Sequence, residues 1–116
     1  MNTSSPLSEI ELQKLIVETL NYSGCLVWRV NVGLIKIENK GNSRWFRSGV
    51  AGSSDIQGLQ KNTGRFIGLE VKLPGKGKKS NPTSLQQQFL DNVKEAGGIA
   101  GCARSVEDAQ EIIKSS

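Results

Sequence analysis

Apolar positions recur at Leu12, Leu15, Ile16 and Leu20, with Thr19 among them. That three-and-four spacing marks one face of a helix. Ser8 precedes the stripe as an N-cap, Glu11 three residues on completes a capping box, and Glu9 and Glu11 fall in the first turn, where the helix dipole favours acids. Glu9 lies three before Leu12 on the apolar stripe, whereas Glu11 lies off it. Glu11 is therefore the natural capping residue and Glu9 the one turned inward; the alternative is that both only cap. Asn21–Gly24 ends the helix, and from Cys25 to Val32 the pattern alternates and is rich in β-formers, which predicts a strand. Ile35–Ile37 and Trp45–Arg47 pair across a turn at Asn39–Asn42. Thr83 caps a second helix with Leu85, Phe89, Leu90 and Val93 apolar and Gly97-Gly98 closing it. Ile99–Arg104 is a last strand, and Ser105 caps a terminal helix with Val106, Ala109, Ile112 and Ile113 inward.

Two further strands lie at the centre of the chain. Gly52-Ser53-Ser54-Asp55 places an acid at the start of one, and Gly68-Leu69-Glu70-Val71-Lys72 places an acid and a lysine two residues apart on the next. Side chains alternate along a strand, so Glu70 and Lys72 share a face and Val71 takes the other. Lys61-Asn62-Thr63-Gly64 reads as a hairpin turn, since Asn and Gly tolerate positive φ. Closing the chain there sets Asp55 beside Glu70. The order is αβ(β)ββαβα: an α/β chain with a mixed sheet flanked by helices, one domain over residues 1–116.

Charge is spread unevenly. The segment from Arg29 to Lys79 carries 11 basic residues against the three acids Glu38, Asp55 and Glu70, a net +8, while the two ends together carry −4. A basic middle enclosing an acidic cluster suits a polyanion drawn to a metal site; the plain alternative is a solvated basic face. Arg29, Lys36, Lys40, Arg44 and Arg47 are interleaved with Trp28, Trp45 and Phe46, an arrangement that serves nucleic acid through phosphate contacts and stacking. Trp28 is expected in the core, and Trp45 fits either role. The small-residue loop Gly49–Ser54 allows a phosphate backbone to approach Asp55, with Ser54 a candidate contact. Lys76, Lys78 and Lys79 sit on a Pro- and Gly-rich tip directly after Lys72, a phosphate-gripping loop or else a linker.

Composition removes other chemistries. There is no histidine, which excludes Ser-His-Asp, Cys-His and His-ligated zinc sites. The two cysteines, Cys25 and Cys102, form neither a disulfide framework nor a C-x-x-C site and read as buried small hydrophobes. No apolar run is long enough to span a membrane, and no signal peptide is evident, so a soluble cytoplasmic protein is expected.

What remains is the Asp55–Glu70–Lys72 cluster. Two adjacent carboxylates repel unless a cation lies between them. Mg²⁺ is held by one or two carboxylates plus phosphate oxygens, and a lysine beside it can orient water or stabilise charge on a phosphate. The residue types suit metal-dependent cleavage of a phosphodiester. The alternative is a surface strand carrying an E-x-K ion pair, but Glu70 stands in the apolar run Phe66–Val71, where an acid calls for a reason.

The pattern resembles the PD-(D/E)xK nuclease superfamily and, more closely, its virus-type replication-repair branch, VRR-NUC. The likeness spans nearly the whole chain: Glu9-x-x-Leu12-Gln13, Trp28-Arg29-Val30-Asn31, Gly52-x-Ser54-Asp55, Glu70-Val71-Lys72, Gln86-x-x-Phe89-Leu90 and Gly97-Gly98. Ser54 stands where the superfamily name has proline. The resemblance implies a restriction-endonuclease-like core and a DNA endonuclease using Mg²⁺ or Mn²⁺. In it Asp55 and Glu70 bind the metal, the Val71 carbonyl is a further ligand, Glu9 completes the site, Lys72 positions or activates water, and Gln86 sits close to the cluster. Related small members act on branched DNA such as Holliday junctions, so a homodimer is implied. Alternatives are a flap, nick or restriction-like nuclease, or a catalytically idle nucleic-acid-binding module.

Overall fold

The computed structural model describes residues 7–30, 33–48, 50, 52–75 and 80–116; for residues 33–37 and 45–48 only the backbone is described. Helix α1 spans Glu9–Tyr22 and opens with the expected capping box, the Ser8 hydroxyl accepting from Glu11 N while the Glu11 carboxylate accepts from Ser8 N. Strands β1 (Cys25–Arg29), β2 (Gly33–Asn39), β3 (Asn42–Ser48), β4 (Ile56–Gln60) and β5 (Phe66–Val71) follow. Helix α2 (Ser84–Glu95), strand β6 (Ile99–Ala103) and helix α3 (Val106–Lys114) complete the chain. Strand β1 ends at Arg29, one residue before Val30, and the expected strand's last two residues, Asn31 and Val32, lie outside the described residues.

The four-stranded sheet runs β1-β4-β5-β6. The first three strands are antiparallel, and β6 lies parallel to β5, reached by a crossover through α2. This is the expected mixed sheet flanked by helices. Strands β2 and β3 form a separate hairpin whose two-residue turn uses positive φ at Lys40 and Gly41. In the β4–β5 turn only Gly64 takes positive φ; Asn62 does not. At Gly58, β1 comes so close to β4 that a Cβ would meet Val27 Cα at 2.6 Å and intrude on the Leu26 carbonyl.

Helices α1 and α3 cover one face of this sheet. Leu12, Ile16 and Leu20 pack there against Val27, Ile56, Ile67, Leu69 and Val71, with Ala109 and the partly buried Val106, Ile112 and Ile113 from α3. Each fully buried aliphatic side chain contributes about 1.5–3 kcal/mol, so this layer carries most of the stability. Leu15, expected on the buried stripe, is exposed, and Gln13 is buried in its stead. On the opposite face α2 packs on β5 and β6, joining Leu90, Val93 and Phe89 to Ala100. Among the described residues no helix covers the β1 end of that face. Cys25 and Val27 turn into the core, while Leu26 and Trp28 turn outward. The expectation of a core Trp28 is therefore wrong: the residue is 47% exposed, because the helix that would bury it stops at β5. Cys25 is buried as expected, but Cys102 is only partly so. Among the described residues no helix is long and apolar enough to cross a membrane.

Candidate active site

The β4–β5 register pairs Ile56 with Leu69. One step further along, Asp55 therefore faces Glu70, as the turn at 61–64 implied. Asp55 is held from two sides: its carbonyl accepts from Val30 N at 2.8 Å, and its Oδ2 accepts from Val71 N at 2.8 Å. Glu70 lies on the central strand β5, between β4 and β6, and is 1% exposed. Its Oε1 stands 4.0 Å from Lys72 Nζ, and its Oε2 has no hydrogen-bond partner. Lys72 lies just past the end of β5, anchored by its N–H donating to Ala103 O.

A buried carboxyl with one free oxygen is unfavourable as an anion. Burial pushes the Glu70 carboxyl up to about 9, and a hydrogen bond with Asp55 and the Asp55 charge push the same way. Lys72 opposes the shift and Glu9 adds slightly to it. A carboxyl whose charge is disfavoured by a second one beside it, and which keeps an orphaned oxygen, fits a hard divalent cation, which takes oxygen donors from one or two carboxylates.

Glu9 is half-buried at the head of α1 and is felt electrostatically at Glu70. Among the described residues, however, no group of three acidic, cysteine or histidine side chains comes together at ligating distance. The protein side chains that meet are thus Asp55 and Glu70, with Glu9 standing off. The Val71 backbone is at the site, its N–H taken by Asp55. Gln86 is the third residue of α2, and its Oε1 accepts from Thr83 N at 2.8 Å to complete a capping box. No hydrogen bond joins it to Asp55, Glu70 or Lys72 among the described residues.

The two serines before Asp55 differ in their hydrogen bonding. Ser54, the expected nucleic-acid contact, is 1% exposed and donates to Ile56 O at 2.9 Å, so its hydroxyl is committed to the fold. It fills the space over Gly68, where a Cβ would lie 3.2 Å from its Oγ. Ser53 is buried with a hydroxyl that has no partner. The sequence carried no signal to separate the two. The loop reaches this position because Gly52, at φ +77°, passes against Leu85 of α2 where a side chain would collide.

Arg29 is half-buried, and its Nε donates to Gln13 Oε1 at 2.9 Å. This bond explains the burial of Gln13, a residue of the α1 motif to which the sequence assigns no role. Arg44 is exposed on β3. The side chain of Arg47, like that of Trp45, lies outside the described residues, as do Lys76, Lys78 and Lys79.

No curated protein sequence matches the chain. The VRR-NUC domain matches residues 7–107, from the residue before the N-cap of α1 to the first turn of α3. The match takes in every element that positions Asp55, Glu70 and Lys72, and its pattern is the one those residues resemble. The chain belongs to the VRR-NUC family, and its function is of the nuclease type.

Proposed function

We propose that this chain is a DNA endonuclease dependent on Mg²⁺ or Mn²⁺, with Asp55, Glu70 and Lys72 as its working groups. The observation that carries the reading is the buried Glu70 carboxyl, whose Oε2 has no partner and whose neighbour is a second carboxyl. Asp55 and Glu70 would hold the cation, with the Val71 carbonyl as a further ligand and Glu9 reaching it through water. When bound there, the cation would supply Lewis-acid stabilisation of the phosphate and would make water a better nucleophile. Lys72, tethered by Glu70, orients the attacking water and neutralises charge building on the phosphate. Water adds to phosphorus, one P–O bond breaks, and the departing alkoxide takes a proton. Arg29, fixed through Nε by Gln13, keeps its two Nη groups for the DNA backbone, and Arg44, Arg47, Lys76, Lys78 and Lys79 extend the basic surface. The Ser53 hydroxyl, buried but unpartnered where that of Ser54 is bound to Ile56 O, is the donor the loop would turn toward a phosphate.

The substrate we propose is branched DNA, such as a four-way junction, cut by a homodimer. One 116-residue chain with one site makes one cut, and a two-fold pair presents two sites in fixed relation. A flap or nick nuclease needs no partner and is the second reading. A cleavage assay on duplex, single-stranded, flap and four-way-junction DNA, with Mg²⁺, Mn²⁺ or EDTA, tests all of this, alongside sedimentation with and without DNA. Paired cuts in junctions by a dimer are expected. Activity undiminished in EDTA would overturn the metal mechanism, and a monomer cutting one strand of a junction would leave the flap or nick reading.

A further inference from the structure

We propose that Trp28, on an outward strip that runs from Leu26 across Leu59 to Phe66, is a stacking platform for an unpaired base of the DNA. This rests on the nuclease reading above. Along β1 the side chains alternate, Cys25 and Val27 into the core, Leu26 and Trp28 away from it. The register carries that outward face across the sheet: Leu26 pairs with Leu59 and Leu59 with Phe66, while Trp28 pairs with Gln57 and Gln57 with Gly68. Two residues further along β4 and β5 on the same face come Asp55 and Glu70. The apolar strip and the carboxylates are thus neighbours on one face of the sheet. Two strand spacings across and two residues along put Trp28 about 12 Å from Glu70 at the backbone, a span of a few nucleotides.

The strip is open. Leu26 is 49% exposed and Trp28 47%, because α2 covers only β5 and β6, and Phe66, at the very start of β5, is 40% exposed. Charge selects the occupant. The segment from Arg29 to Lys79, which supplies Leu59 and Phe66 of the strip and the carboxylates beside it, carries a net +8, so a polyanion is drawn to this part of the chain. Within a duplex the base faces are already stacked on one another; only an unpaired nucleotide offers a free π-face to an indole. A platform a few nucleotides from the cutting site would therefore favour DNA with a single-stranded stretch beside the scissile phosphate.

The test uses the whole chain with Trp45→Phe, which leaves Trp28 as the remaining fluorophore of its kind, in EDTA so that nothing is cut. Titration with a short single strand should quench and shift the emission, and a blunt duplex of equal charge should do neither. Trp28→Ala should weaken single-strand binding roughly 5- to 100-fold and duplex binding hardly at all, with Trp28→Phe close to the parent. Equal quenching by both DNAs, or unchanged single-strand affinity in Trp28→Ala, would overturn the proposal. So would a self-association in sedimentation that Trp28→Ala abolishes, which would assign the strip to a second copy. Stacking without cleavage in Mg²⁺ would sink the nuclease reading and leave this one intact; cleavage without stacking would do the reverse.

Discussion

The Val71 amide donates to Asp55 Oδ2 at 2.8 Å, so the first carboxylate is bound to the strand that carries the second. Asp55 has a structural duty that Glu70, with its free Oε2, lacks. Substitutions at the two acids should therefore abolish cleavage alike and differ in stability. Asp55→Ala leaves Val71 N–H without its partner and should lower the unfolding free energy by about 1.5–3 kcal/mol, the range for hydrogen bonds to charged groups. Glu70→Gln removes a group that must hold a proton to stay buried and should raise apo stability near pH 7. Denaturant unfolding of both variants in EDTA checks the contrast.

Acidity gives a second expectation. The Glu70 carboxyl is raised from 4.5 to about 9, chiefly by burial. Between those values the folded chain keeps a proton that the unfolded chain gives up. The contribution of Glu70 is thus fully present below the lower value and lost as pH rises through the upper one, with a slope of up to about 1.4 kcal/mol per pH unit. Thermal unfolding in EDTA should show Tm falling from pH 5 to pH 9, and Glu70→Gln should flatten that fall. Added Mg²⁺ displaces the proton, so its stabilising effect should grow over the same range and be absent from Glu70→Gln. A wild-type profile identical to that of Glu70→Gln would contradict the assignment.

Ser53 and Ser54 should part company. Ser54→Ala removes a buried hydrogen bond to Ile56 O and should destabilise by about 1–2 kcal/mol, with catalysis per folded molecule little changed. Ser53→Ala removes a buried hydroxyl that satisfies nothing; stability should hold or rise while cleavage slows. Paired melts and single-turnover rates distinguish them, and the opposite pairing would return the phosphate-facing role to Ser54.

Lys72 and the loop lysines should also separate. Lys72→Ala should lose cleavage and keep most DNA affinity, since it is one of many basic groups. The triple change of Lys76, Lys78 and Lys79 to Ala should weaken binding and make its salt dependence shallower, by up to ~0.9 for each phosphate that is no longer neutralised. An unchanged salt slope would make the loop a linker.

Local rules made much of this fold readable from the chain. Ser8 with Glu11, Thr83 and Ser105 announced three helix starts, and the turn at 61–64 fixed the Asp55–Glu70 register because hairpin closure leaves little choice. Partners distant in sequence were not readable. Alternation along Cys25–Arg29 gives two faces but not which one a helix covers, and the reach of α2, ending at β5, left Trp28 outside. Gln13 interrupts the apolar arc of α1 because its partner Arg29 lies 16 residues away. Gln86 has the spacing of a cap as well as of a site residue, and it serves as the cap.

Gly58 decides how much of this arrangement random change can explore. It touches no part of the proposed chemistry, yet any side chain there would push into Leu26 and Val27 and lever the strand bearing Trp28 and Arg29 off the sheet. Glycine codons are degenerate only in the third base, so every single-base change in the first two alters the residue. A deep mutational scan read out by cleavage should therefore leave position 58 as bare as position 70. The cause would differ: at 70 the folded variants fail to cut, and at 58 the edge strand fails to dock.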